Sequence, residues 1–171
     1  LTGGNGVLTI GASGIVATSS NVGTTNTVAG RIDLGSALNT INVAPISANG
    51  VDIAPLNAAL AIQGIENLVG GFNKTGNGVL QLNAQNNYTG PTNVIAGGLR
   101  IGIANGGSRL SAVNLASGTH LNLAGVSTTI GSPAGAGTVF NSGAAATLTV
   151  GFDNTPTTVF SGTLARFNDA V

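Results

Sequence analysis

The sequence predicts an all-β chain wound into a parallel β-solenoid. Three observations lead there. Short apolar–polar–apolar triplets, most of them opened by glycine, recur at intervals of 19 to 27 residues. Glycine supplies 28 of the 171 residues, about 16% against a usual ~7%. Charged residues make up only 6%, where an ordinary soluble domain carries about 25%. Strict alternation over three to five residues is a strand signal, with one side chain in and the next out. Glycine, asparagine and serine between such strands accept the backbone angles of tight turns. A period of about 20 to 25 residues is that of a solenoid rather than a sandwich or barrel.

In chain order, the triplets are Gly6-Val7-Leu8-Thr9-Ile10-Gly11, Gly30-Arg31-Ile32-Asp33-Leu34-Gly35, Gly78-Val79-Leu80-Gln81-Leu82 and Gly97-Gly98-Leu99-Arg100-Ile101-Gly102. Two looser copies follow, Gly118-Thr119-His120-Leu121-Asn122-Leu123-Ala124-Gly125 and Thr147-Leu148-Thr149-Val150-Gly151. Between the second and third lie two more strand-like triplets, Ile41-Asn42-Val43 and Val51-Asp52-Ile53. The polar centres Thr9, Asp33, Gln81, Arg100, Asn122 and Thr149 are expected to face outward and their apolar flanks inward. Residues 55–70 have a weak helical periodicity, but Gly64 interrupts it and no cap is present. At about 22 residues per coil the chain predicts seven or eight coils, a rod of roughly 35–40 Å. Stacked asparagines would form hydrogen-bonded ladders. Like charges stacked coil on coil would repel, which accounts for the low charge.

The chain also reads loosely as two related units, 1–71 and 72–171, within one domain. Gly6-Val7-Leu8 matches Gly78-Val79-Leu80 at an offset of 72, and Val28-Ala29-Gly30 matches Ile95-Ala96-Gly97 at an offset of 67. The five-residue difference is assigned to an insertion within Val16–Thr25. Head and tail suggest a longer repeat. Joining Val171 to Leu1 would set Gly6 fifteen positions after Gly162, close to the fourteen between Gly64 and Gly78. The expectation is one period of a longer tandem chain or of a head-to-tail fibre, with uncapped ends.

Composition excludes several functions. Five basic residues balance five acidic ones, so no basic field exists to hold nucleic acid or an anionic membrane. Cysteine is absent, which removes disulfides, thiolate metal sites and cysteine nucleophiles. No run of about 18 apolar residues occurs; the stretch from Ala54 to Gly71 is broken by Asn57, Gln63, Glu66 and Asn67. Leu1-Thr2-Gly3-Gly4 has neither the positive nor the apolar region of an export signal.

Candidate chemical residues are few. His120 is the sole histidine and has no acidic or nucleophilic neighbour in sequence; it reads as an outward or turn residue. Asp33, Asp52, Glu66, Asp153 and Asp169 are scattered, and only lateral stacking of Asp33 with Asp52 would make a catalytic carboxylate pair. Gly3-Gly4-Asn5-Gly6-Val7-Leu8 resembles the start of a calcium-binding nonapeptide, but Leu8 stands where the carboxylate is needed. Gly76-Asn77-Gly78 and Gly135-Ala136-Gly137 lack the Lys-Ser/Thr of a phosphate loop. Threonines at 24–25, 128–129 and 155–158 are too irregularly spaced for an ice-binding face. Phe72, Phe140 and Phe160 are expected to stack in the core, and Tyr88 to mark a corner. No catalytic, cofactor-binding or metal-ligating residue is therefore assigned, and the chain is not read as an enzyme.

One stretch carries a resemblance. Phe72-Asn73-Lys74-Thr75-Gly76-Asn77-Gly78-Val79-Leu80-Gln81-Leu82, then Asn86-Asn87-Tyr88-Thr89-Gly90-Pro91-Thr92, then Val94 to Ile101, resembles the passenger-associated repeat of bacterial autotransporter proteins. That repeat runs Leu-x-Lys-x-Gly-x-Gly-x-Leu-x-Leu, then Tyr-Thr-Gly-x-Thr, then a strand ending Ala-Gly-x-Leu. Residues 115–164 resemble the family's trailing segment through Thr129-Ile130-Gly131-Ser132, Gly135-Ala136-Gly137-Thr138-Val139 and Phe160-Ser161-Gly162. The first unit departs from it: Gly3 or Gly4 replaces the lysine and no Tyr-Thr-Gly follows. The resemblance implies a right-handed parallel β-helix on the bacterial cell surface, serving as stalk or fibre, with Lys74 in a structural turn. Partners would be neighbouring repeats or copies stacked head to tail. The alternatives are an adhesin contacting glycans or host surfaces through residues 11–25 or 103–115, a β-helix polysaccharide-degrading enzyme, and a phage fibre.

Overall fold

The computed structural model describes residues 7–11, 13–66, 69–155 and 157–166. Among them there is no helix, and the strands stack in parallel into a β-solenoid of about 7 turns. Coil 1 carries β1 (Val7–Thr9), β2 (Ile15–Ser19) and β3 (Asn26–Val28). Coil 2 carries β4 (Arg31–Asp33), β5 (Leu38–Ala48), β6 (Val51–Asp52) and β7 (Ala58–Ile62). Coil 3 carries β8 (Ile65–Glu66), β9 (Gly71–Thr75) and β10 (Val79–Leu82). Coils 4 and 5 carry β11 (Thr92–Val94) with β12 (Gly98–Ile101), and β13 (Val113–Leu115) with β14 (His120–Asn122). Coil 6 carries β15 (Thr128–Thr129), β16 (Pro133–Gly135) and β17 (Thr138–Asn141); coil 7 carries β18 (Leu148–Thr149) and β19 (Thr163–Arg166). At about 4.8 Å per coil, seven coils measure about 34 Å.

Three faces result. The second stacks β2, β5, β9, β11, β13 and β16, and the third stacks β3, β7, β10, β12, β14, β17 and β19. The first face is broken. It pairs β1, β4 and β8, then β15 with β18, and between them, among the described residues, holds only the bridge Asn86–Ser108. There the Asn86 side chain replaces the missing ladder. Its Oδ1 accepts the Ile65 amide at 2.8 Å and its Nδ2 donates to the Gly106 carbonyl at 2.7 Å.

The core follows from register. On the third face Leu60, Leu80, Leu99, Leu121 and Val139 stand one above another, all buried. Each buried leucine contributes about 1.5–3 kcal/mol relative to exposure. Small residues let the corners close. A Cβ on Gly71 would strike the Pro91 carbonyl of the next coil, and one on Gly78 the Ala44 carbonyl of the coil before.

Several expectations are corrected. Val51-Asp52-Ile53 is no coil strand. It is the return arm of a hairpin, with Ser47 opposite Asp52 and Ala48 opposite Val51, and Val51 and Ile53 are exposed. The turn is Asn49-Gly50, whose φ of 52° and 77° are those of a two-residue hairpin. Val7–Thr9 and Val79–Leu82, matched by sequence, lie on different faces. Asn122 is outward but buried, because Ser142 of the next coil covers it. Leu8 and Val150, expected inward, are exposed. Phe140 is aligned with Asn122 on the outer side of the third face and packs on His120, at 5.4 Å between rings. Phe72 is in the core and Phe160 packs against it. Tyr88 is at a corner, yet fully buried against Phe72 at 5.8 Å.

Candidate functional site

The polar side chains do most of their bonding between coils. On the outer side of the second face Asn73, Asn93 and Asn114 occupy one register position. Asn93 Nδ2 donates to Asn73 Oδ1 at 2.8 Å, and Asn114 Nδ2 to Asn93 Oδ1 at 2.7 Å. An amide carries both a donor and an acceptor, so one residue type repeated at coil spacing satisfies itself. At the corner entering that face, Tyr88 Oη bonds Thr92 Oγ1 at 2.8 Å, and Thr92 bonds Ser111 Oγ at 2.9 Å. Ser111 donates on to the Gly90 carbonyl. Further along the same corner Ser132 donates to Asp153 Oδ1 at 2.7 Å. These links step mostly 19 to 21 residues along the chain. They tie each coil to the next.

Lys74 is the most unusual member. It belongs to β9, not to the turn expected, and its register partners are Ile41 and Val94, both core residues. Its alkyl stem fills the core column and its ammonium reaches the next corner. There Nζ donates to the carbonyls of Thr75 at 2.9 Å, Gly76 at 2.7 Å and Ala96 at 3.0 Å. The ammonium has three protons, and each finds an acceptor. Burial holds its pKa down to about 8. The first and third acceptors are on successive coils, so Lys74 clamps two turns of backbone together.

The other candidates are dispersed. His120 is half-buried over Gly98, where a Cβ would collide with its ring. Burial, with help from the Lys74 charge, holds its pKa below the usual value. It is therefore uncharged at neutral pH. Asp33 lies on the first face and Asp52 in the hairpin of the second, so stacking does not pair them. Each carboxylate accepts a backbone amide two residues on, Gly35 for Asp33 and Ala54 for Asp52. On the backbone, Asp33 falls in register with Glu66. Asp153 is held down to about 2: burial raises it, but hydrogen bonds from Ser132 and Thr155 outweigh that. Asp169 and Gly3–Gly6 lie outside the described residues. Thr129 and Thr149 are in register, but no Thr-x-Thr recurs on every coil. Among the described residues no three acidic or histidine side chains gather as a metal site. No helix among them is long and apolar enough to cross a membrane.

What the arrangement does well is hold coils together. Sequence reasoning foresaw an asparagine ladder in kind. It missed the lysine clamp, because a lysine between two apolar columns is visible only once the register is known.

Comparison with known families finds a match within the chain. Residues 72–101 match the family model described as the passenger-associated-transport-repeat. That span covers β9 to β12, and so contains the lysine clamp, Tyr88 and one rung of the asparagine ladder. No curated protein and no solved structure matches the chain.

Proposed function

We propose that this chain is a structural module of an exported bacterial passenger protein, a stiff rod segment that extends a stalk or fibre from the cell surface. The passenger-associated-transport-repeat at residues 72–101 supports export and a surface setting. The observation that carries the mechanical reading is the density of links between coils. Parallel backbone ladders, an aliphatic column, an amide ladder and a buried lysine join successive turns. The backbone ladders and the aliphatic column run along the stack, the amide ladder joins coils 3 to 5 and the lysine joins coils 3 and 4, so bending opens several bonds at once. The dispersed carboxylates give a polysaccharide-cleaving reading no support.

Neighbouring repeats, or copies of the same chain, stack on this module end to end in our reading. Leu164 continues the core column of the third face above Val139, yet it is 75% exposed. Val7 and Leu8 on coil 1 are exposed as well. A following coil would cover such positions. The test is a direct tandem fusion of two copies. Stacking predicts a melting temperature above that of the single copy and a scattering profile of one continuous rod of about twice the length. An unchanged melting temperature, with two units tumbling independently, would overturn end-to-end stacking.

A further inference from the structure

The broken first face opens a groove of about 840 Å³, lined from Arg31 and Gln63 in coil 2 to Thr149 and Phe152 in coil 7. That volume is within the range of ligand clefts, about 300–1,000 Å³. Five coil steps make it about 24 Å long. Its wall is polar, and its amides differ from those of the second face. Asn73, Asn93 and Asn114 bond one another, whereas the side-chain amides of Gln63, Gln85, Asn87 and Asn105 bond to nothing among the described residues. All four are exposed. Near its far end, Arg109 places its guanidinium 4.7 Å over the Phe152 ring. That stacking fixes the guanidinium while leaving its N–H fork free. Arg109 makes no ion pair among the described residues. The acidic residue beside Phe152 at the far end, Asp153, is bonded to Ser132 and Thr155.

We propose that this groove binds a linear acidic oligosaccharide laid along the solenoid axis. The free amides of Gln63, Gln85, Asn87 and Asn105 offer donors and acceptors to sugar hydroxyls along the first part of the groove, and Arg109 takes a carboxylate in its fork. Phe152 remains 51% exposed beside the guanidinium, and that uncovered part of it supplies apolar surface for a pyranose to pack on. A β-1,4-linked pyranose chain is extended and advances per sugar by a distance close to the coil spacing of about 4.8 Å, so an oligosaccharide of about five sugars fits the length of the groove. Residues 103–115, with Asn105 and Arg109, belong to this wall. The inference does not depend on the rod reading, which stands or falls on end-to-end stacking.

The test is calorimetric titration of the 171-residue chain with two hexamers that differ only at C6, β-1,4-mannuronate and β-1,4-mannose. The mannuronate hexamer is expected to bind with saturation, and about tenfold more tightly than the neutral hexamer. Arg109→Gln should erase that preference, and Arg109→Lys should restore it only in part. Gln85→Ala combined with Asn105→Ala should weaken both hexamers, with the melting temperature unchanged because both side chains are exposed. Failure of the mannuronate hexamer to bind, equal binding of the two, or a preference that survives Arg109→Gln would each overturn the assignment.

Discussion

Tyr88 is the sole tyrosine, and tryptophan is absent, so its ultraviolet absorbance reports one site. Burial pushes its hydroxyl up to about 12, while hydrogen bonds from Thr92 and Ser111 pull the other way. In the native chain the tyrosinate band should therefore appear near pH 12. In denaturant it should appear near the ordinary value of 10. A native titration at 10 would place Tyr88 outside the core. Lys74 acts at lower pH, with the opposite sign. Its folded pKa, held to about 8, lies below the ordinary 10.5. Between those values the unfolded chain binds the proton that the folded chain has lost, so stability rises with pH. Above about 10 Tyr88 reverses the trend, because the unfolded state then sheds its proton first. Chemical denaturation across pH 7–12 should show a rise from 8 towards 10 and a fall beyond. Lys74→Met should remove the rise and leave the fall; a rise that persists in that variant would assign it to another group.

At the scale of elements, the alternation of β10, β12 and β14 sets Leu80, Leu99 and Leu121 in one buried column. Leu121→Asp puts a carboxylate into that column with no partner. The cost is about 3–5 kcal/mol or more, a large part of the stability of a chain this size. Thermal melting followed by circular dichroism should lose its cooperative transition at neutral pH. An unchanged melting profile would show that Leu121 faces out. These strands were legible in the sequence because a period of two survives wherever one face is buried. The hairpin of β5 and β6 was not read as such, although Asn49-Gly50 is a strong local signal for it; Val51-Asp52-Ile53 has the same alternation as a coil strand, and periodicity alone does not distinguish them. The burial of Asn122 was hidden for another reason. Its cover, Ser142, is 20 residues away, and Asn122 is bonded to it through both its amide atoms.

At the scale of the whole molecule, one coil per about 22 residues was readable from the glycine-led triplets; it predicts seven or eight coils, and about 7 turns are observed. The groove was not readable. Its amides belong to corner segments with no periodicity, and it exists because the first face loses its strands in coils 4 and 5. Low charge is consistent with the stack as a whole. The central claim is the coil-on-coil register, from which the rod, the clamp and the groove all follow. The chain has no cysteine, so introduced pairs can be read without interference. Asn93 and Asn114 are register partners on the same outer side. Their Cα atoms should lie about 4.8 Å apart, inside the disulfide range of about 4.4–6.8 Å. The most direct measurement is the extent of disulfide formation in Asn93→Cys/Asn114→Cys, beside Asn93→Cys/Val113→Cys, whose second position faces the core. The account predicts near-complete bridging of the first pair under mild oxidation and little of the second. Bridging of the second pair in preference to the first would contradict the register.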